Sequence, residues 1–127
     1  MKYIAISGGW RQTTPEIENL VRRAVRDIFS RADGLICGGA LGVDYLALDE
    51  ALKQNPAADR IKIFLPTSLE IFASHYRQRA KEGVVTSKQA EDLIKQLTGL
   101  KNINPNALVE DKGNLVVDKK AYYSRNS

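Results

Sequence analysis

Cysteine, histidine, tryptophan and methionine each occur once in this 127-residue chain. The lone cysteine, Cys37, excludes an internal disulfide, and with His75 as the only histidine there is no Cys/His set with zinc-site spacing. His75 belongs to no Ser, Cys or second-His motif that would make it a convincing general base. No apolar run approaches the roughly 20 residues of a membrane-spanning helix. Met1-Lys2-Tyr3-Ile4-Ala5-Ile6 reads as a strand rather than a signal peptide, so the expected setting is cytoplasmic with no membrane partner. Internal repeats and low-complexity linkers are absent. What is present, 43% hydrophobic and 27% charged residues, suffices for one core. The net charge of +4 favours anionic ligands without naming one.

Glycine is grouped at two places. Leu35-Ile36-Cys37-Gly38-Gly39-Ala40-Leu41-Gly42-Val43-Asp44 is an apolar strand that runs through three glycines into a helical pattern. Tyr3-Ile4-Ala5-Ile6-Ser7-Gly8-Gly9-Trp10-Arg11 repeats the arrangement. Backbone without Cβ atoms passes close to an anion, and a helix starting near Gly42 aims its N–H groups and positive dipole end at the same point. Both loops fall at carboxyl ends of predicted strands, where open α/β sheets bind ligands, so they are expected to share one crevice. The pattern predicts that the N–H groups of Gly8, Gly9, Gly39, Ala40 and Gly42, with Gly38 in the same turn, receive phosphate oxygens. Arg11 would neutralise charge through its planar fork, while Ser7 and Asp44 orient the ligand. Plainer readings stand beside these: a tight turn with close packing, a first-turn carboxylate at Asp44, a solvated arginine at Arg11, a hydrophobic lid or interface residue at Trp10 and a packed thiol at Cys37.

Helix and strand signals alternate. Thr13-Thr14-Pro15-Glu16 supplies a cap, a first-turn proline and a carboxylate, and Ile17, Leu20, Val21, Ala24, Val25, Ile28 and Phe29 form a helical stripe. Arg22, Arg23, Arg26 and Asp27 occupy the other face. A strand over 34–37, a helix over about 43–54 and a strand over 61–65 complete a β-α-β-α-β half, with parallel strands and helices on both faces. Beyond Pro66, Thr67-Ser68-Leu69-Glu70 resembles a capping box opening a helix to about Glu82, and Thr86-Ser87-Lys88-Gln89 opens another that ends near Gly99. Leu108-Val109 and Leu115-Val116-Val117 are spaced for a hairpin, and residues 121–126 for a short helix.

Ser7-Gly8-Gly9 with Arg11, and Gly38 through Asp44, resemble the paired signatures of the SLOG superfamily. That group includes the DNA-processing protein DprA, YpsA-like proteins, molybdenum-cofactor carriers and the LOG phosphoribohydrolases. The second loop is similar to the Gly-Ala-x-Gly-(Ile/Val)-Asp motif of the DprA, YpsA-like and carrier branches; the first departs from the commoner Gly-Ser-Arg form. Ser124-Arg125-Asn126 resembles an Arg-Asn element that precedes the next core strand in relatives. The resemblance implies a single Rossmann-like, three-layer α/β/α domain over 1–127, divided into a ligand-loop half (1–66) and a helical, irregular half (67–127). Its sheet would be small and mostly parallel, with the final core strand missing. It also implies that Asp44 belongs to the ligand loop and that Arg125 and Asn126 reach the crevice. The open edge this leaves on the first strand is expected to be paired in a homodimer or covered by the segment after residue 105.

Three functions follow as expectations. The first is binding of a nucleotide or nucleotide-derived phosphorylated ligand, as carrier or sensor and without catalysis, with any magnesium brought by the ligand. The second is single-stranded DNA binding as in DprA, for which the run His75-Tyr76-Arg77-Gln78-Arg79 with Lys81 is the candidate footprint beside a plainer solvated basic face. The third is a LOG-like N-glycosidase, against which the absence of the Pro-Gly-Gly-x-Gly-Thr-x-x-Glu motif counts.

Overall fold

The computed structural model describes residues 1–8 and 13–114. They form β1 (Tyr3–Ala5), α1 (Pro15–Ser30), β2 (Gly34–Gly38), α2 (Val43–Gln54), β3 (Ile61–Leu65), α3 (Leu69–Lys81), α4 (Ser87–Ile103), a 3-10 turn (Pro105–Ala107) and β4 (Leu108–Glu110). The four strands make one parallel sheet in the order β1-β2-β3-β4. The architecture is therefore α/β, in keeping with a small Rossmann-like fold.

Local chemistry sets the helix starts. Thr14 caps α1 by accepting from Ile17 N at 3.2 Å, and Pro15 takes the first position, where its missing N–H costs nothing. The stripe of α1 is narrower than expected: Val21, Val25, Ile28 and Phe29 are buried, whereas Leu20 is 64% exposed. The α3 cap is Ser68, which accepts from Ile71 N, rather than Thr67, which is buried with its hydroxyl on Ser68 O. At α4 the capping box is complete, with Gln89 N donating to Thr86 Oγ1 and Thr86 N to Gln89 Oε1. Gly99 does not end that helix. Leu97 and Leu100 are buried on either side of it, and the chain turns out only at Asn104-Pro105.

Register decides which residues share a face. Ile4 pairs with Leu35, Leu35 with Ile61, Cys37 with Ile63, and Ile63 with Leu108. These residues and Leu65 line one face and join one core with Val25, Ile28, Ala47, Leu48, Phe72, Leu93, Leu97 and Leu100 from all four helices. Every connection steps to the same side of the sheet, and right-handed crossovers that never reverse direction keep their helices on one face. The described helices thus supply one helix layer of the expected arrangement. Tyr3, Ala5, Ile36, Lys62, Phe64 and Val109 lie on the other face, partly or well exposed and outside that core.

Of the chain beyond residue 105, the structure describes residues as far as Asn114. Leu108-Val109 forms a strand parallel to β3, and the hairpin expected between it and Leu115-Val116-Val117 extends beyond the described residues. That strand lies at the edge opposite β1, so the described part of the segment leaves the β1 edge uncovered. Leu115-Val116-Val117 and the helix expected over 121–126 lie outside the described residues.

Candidate functional site

The carboxyl ends of β1 and β2 bring the two glycine loops together. A Cβ on Gly8 would stand 3.0 Å from Val43 Cγ2 and 3.2 Å from Val43 Cβ, so the first loop rests on the opening residue of α2. Ser7 and Gly8 are exposed there. Gly9, Trp10 and Arg11 lie outside the described residues, as do Arg125 and Asn126.

In the second loop the three glycines have separate tasks. Gly42 is the N-cap of α2 with φ 82° and ψ −126°, a conformation that only glycine adopts without strain, and it offers no side-chain cap to the helix. Gly39 is buried, and a Cβ on it would fall 2.5 Å from Leu65 Cδ2 and 3.4 Å from Leu97 Cδ2. Its bareness serves helix–sheet packing; a side chain there would strike the core and not a phosphate. Gly38 is the buried last residue of β2.

Asp44 is only 7% exposed, and its Oδ2 accepts from Ala40 N at 3.3 Å across the turn. The Ala40 N–H, expected on a ligand, is therefore engaged by the protein's own carboxylate. Asp44 also marks its neighbours electrostatically. Burial, then the Asp44 charge, pushes the Cys37 thiol well above its ordinary range, which makes it a packed thiol and not a nucleophile. Tyr76, from α3, is pushed up to about 12, first by burial and further by Asp44, while a hydrogen bond between its hydroxyl and the Leu41 backbone works the other way. Tyr76 is a loop-supporting residue that sequence reasoning placed only within a basic run. Its spacing to buried Phe72, against whose ring it tilts at 5.0 Å, was the available signal.

The basic run itself is largely paired. Arg77 Nε meets Glu91 Oε2 at 3.0 Å, and Arg79 Nη1 meets Glu82 Oε1 at 2.7 Å, both at exposed positions. His75 is held below its usual range by burial and then by Arg79. The plainer reading, a solvated helix face, fits this arrangement.

The loop after β3 is closed by protein groups. Glu110, at the end of β4, accepts from Leu69 N in the first turn of α3 and from Lys101 Nζ, both at 2.8 Å. Asn114 Nδ2 donates to Pro66 O at 2.8 Å. Burial alone would raise the Glu110 carboxyl, but these donors outweigh it and hold it below its usual range. Between α1 and α2, Arg22 bridges Glu18, Asp49 and nearly buried Glu50, which also receives Gln54 Nε2 at 2.8 Å. That cluster ties the two helices together.

Among the described residues no group of three metal-ligating side chains could hold an ion, and no helix is long and apolar enough to cross a membrane. The fold thus defines a class, the parallel α/β proteins with loops at the carboxyl edge of the sheet. No family model matches the chain, and no curated protein or solved structure does.

Proposed function

We propose that the crevice between the Ser7-Gly8 loop and the Gly38–Gly42 turn binds a nucleotide or nucleotide-derived phosphorylated ligand, as a carrier or sensor. One observation carries this reading: Gly8 rests on Val43, so two glycine loops meet at the start of a twelve-residue helix that has no side-chain N-cap. Phosphate oxygens would be received by the N–H groups of Gly8 and of the first turn of α2. Asp44 changes the expected chemistry. Its carboxylate is committed to the loop, holding the Ala40 N–H, so that donor serves the turn itself and phosphate is left to the other N–H groups.

The test is thermal unfolding of the full chain with AMP, ADP-ribose, NAD, GTP, a pterin nucleotide and a short single-stranded oligonucleotide, each at low and moderate salt. A ligand at about a hundred times its Kd adds about 2.7 kcal/mol, a shift of several degrees for a domain of this size. A salt-resistant shift with one small nucleotide supports the proposal. A salt-sensitive shift with the oligonucleotide alone moves the reading to single-stranded DNA binding, and no shift with any of them refutes both.

A further inference from the structure

We propose that the outer edge of β1, on which no described strand lies, is a self-pairing surface where two copies of this chain join as antiparallel strands into one continuous sheet. Hydrogen bonding to β2 alternates along β1. Lys2 O accepts from Gly34 N at 2.9 Å and Ile6 N donates to Ile36 O at 3.2 Å, so the ladder uses the even-numbered residues. The N–H and C=O groups of Tyr3 and Ala5 therefore point away from β2. Among the described residues no strand lies on that side. Edge strands are ordinarily blunted by proline, charge, a bulge or shortness; Tyr3-Ile4-Ala5 has no proline and no charge and is limited only by its three-residue length.

The occupant follows from the parity of the strand. A two-fold axis through Ile4 sets Tyr3 opposite the partner's Ala5 and Ala5 opposite the partner's Tyr3. In antiparallel pairing such directly opposed residues exchange both of their hydrogen bonds, so all four outward groups of each β1 find partners in this register. Side chains agree with it. On the open face of the sheet, bulky Tyr3 meets the partner's small Ala5. On the helix-covered face, Ile4, which already packs against the core, meets the partner's Ile4 and carries the apolar layer across the axis. The contact is isologous and closes at two copies.

Sedimentation equilibrium of the full chain tests this, with Ala5→Pro as the variant. Proline deletes the outward Ala5 N–H and leaves the Ile4 and Ile6 donors to β2 intact, a substitution that edge strands tolerate. The expected result is a wild-type dimer at micromolar concentration and a dimer dissociation constant raised about tenfold or more by Ala5→Pro, with unchanged far-ultraviolet circular dichroism. A second variant covers the case in which Ala5→Pro does not fold. Ile4→Cys places two thiols at the axis, where opposed Cα atoms stand about 4.5 Å apart, within disulfide reach, and mild oxidation should cross-link it while the wild type, with buried Cys37, stays uncross-linked. A monomeric wild type overturns the proposal, and so does a dimer that tolerates Ala5→Pro and yields no Ile4→Cys cross-link.

Discussion

Replacing Gly39 by alanine separates packing from ligand contact, because the added methyl would sit 2.5 Å from Leu65 Cδ2, well inside van der Waals distance. Leu65 and Leu97 are both fully buried, so neither side chain has solvent to retreat into. Overpacking of this kind costs about 1–3 kcal/mol. For a domain of this length each kcal/mol lowers the unfolding midpoint by about 3–6 °C. Urea unfolding followed by circular dichroism measures the loss directly. The decisive comparison repeats the substitution in a Leu65→Ala background. Leu65→Ala alone should cost about 2–5 kcal/mol by leaving a cavity. In that cavity the Gly39 methyl finds room, so Gly39→Ala should then cost close to nothing, a coupling of about 1–3 kcal/mol between the two sites. Equal costs in both backgrounds, or no cost in the wild type, would refute the packing account and return Gly39 to the ligand.

Other outcomes follow from the same coordinates. Gly42→Ala should destabilise by about 1–3 kcal/mol through backbone strain at φ 82°, with no relief from Leu65→Ala, as paired urea titrations would show. Glu110 is held below its usual 4.5, so its contribution is complete above that pH and is lost as pH falls through the folded value. Glu110→Gln should therefore flatten the acid limb of a stability–pH curve, and an unchanged limb would count against the Lys101 and Leu69 contacts. Tyr76 is raised instead, so its share of stability is present below pH 10 and is lost as pH climbs toward about 12. Ultraviolet titration should show a late tyrosine step; burial also raises Tyr45, so Tyr76→Phe assigns the step by removing the part near pH 12.

Much of the fold was legible because its signals are local. Thr14 with Pro15, Ser68 and Thr86 with Gln89 announce helix starts through their own side chains, and β2 and β3 stand out as short apolar runs closed by glycine and proline. Leu108-Val109 reads as a strand from its own residues, but its pairing with β3 is a long-range relation that no local signal announces. The α4 boundary was misjudged because a single glycine costs a helix about 1 kcal/mol, less than the burial of Leu97 and Leu100 returns. At the site, the glycine spacing located the loops but could not say which glycine serves which need. Gly39 is needed for what lies behind it, a leucine side chain supplied from β3, and Gly42 for its φ of 82°, while Tyr76 reaches Leu41 from a separate helix. Such relations span dozens of residues and leave no periodic trace.

The strictly sequential strand order bears on how the molecule is assembled. In a sheet whose order doubles back, an early strand waits for a neighbour made much later. Here β2 docks on β1, β3 on β2 and β4 on β3, so each strand emerging from the ribosome meets a completed template one crossover behind it. Such an order lets the sheet be laid down in the direction of synthesis. Each loop closure spans only one crossover, and short closures favour rapid folding. On the last described strand, Glu110 uses one carboxylate to join that strand to α3 and α4 together.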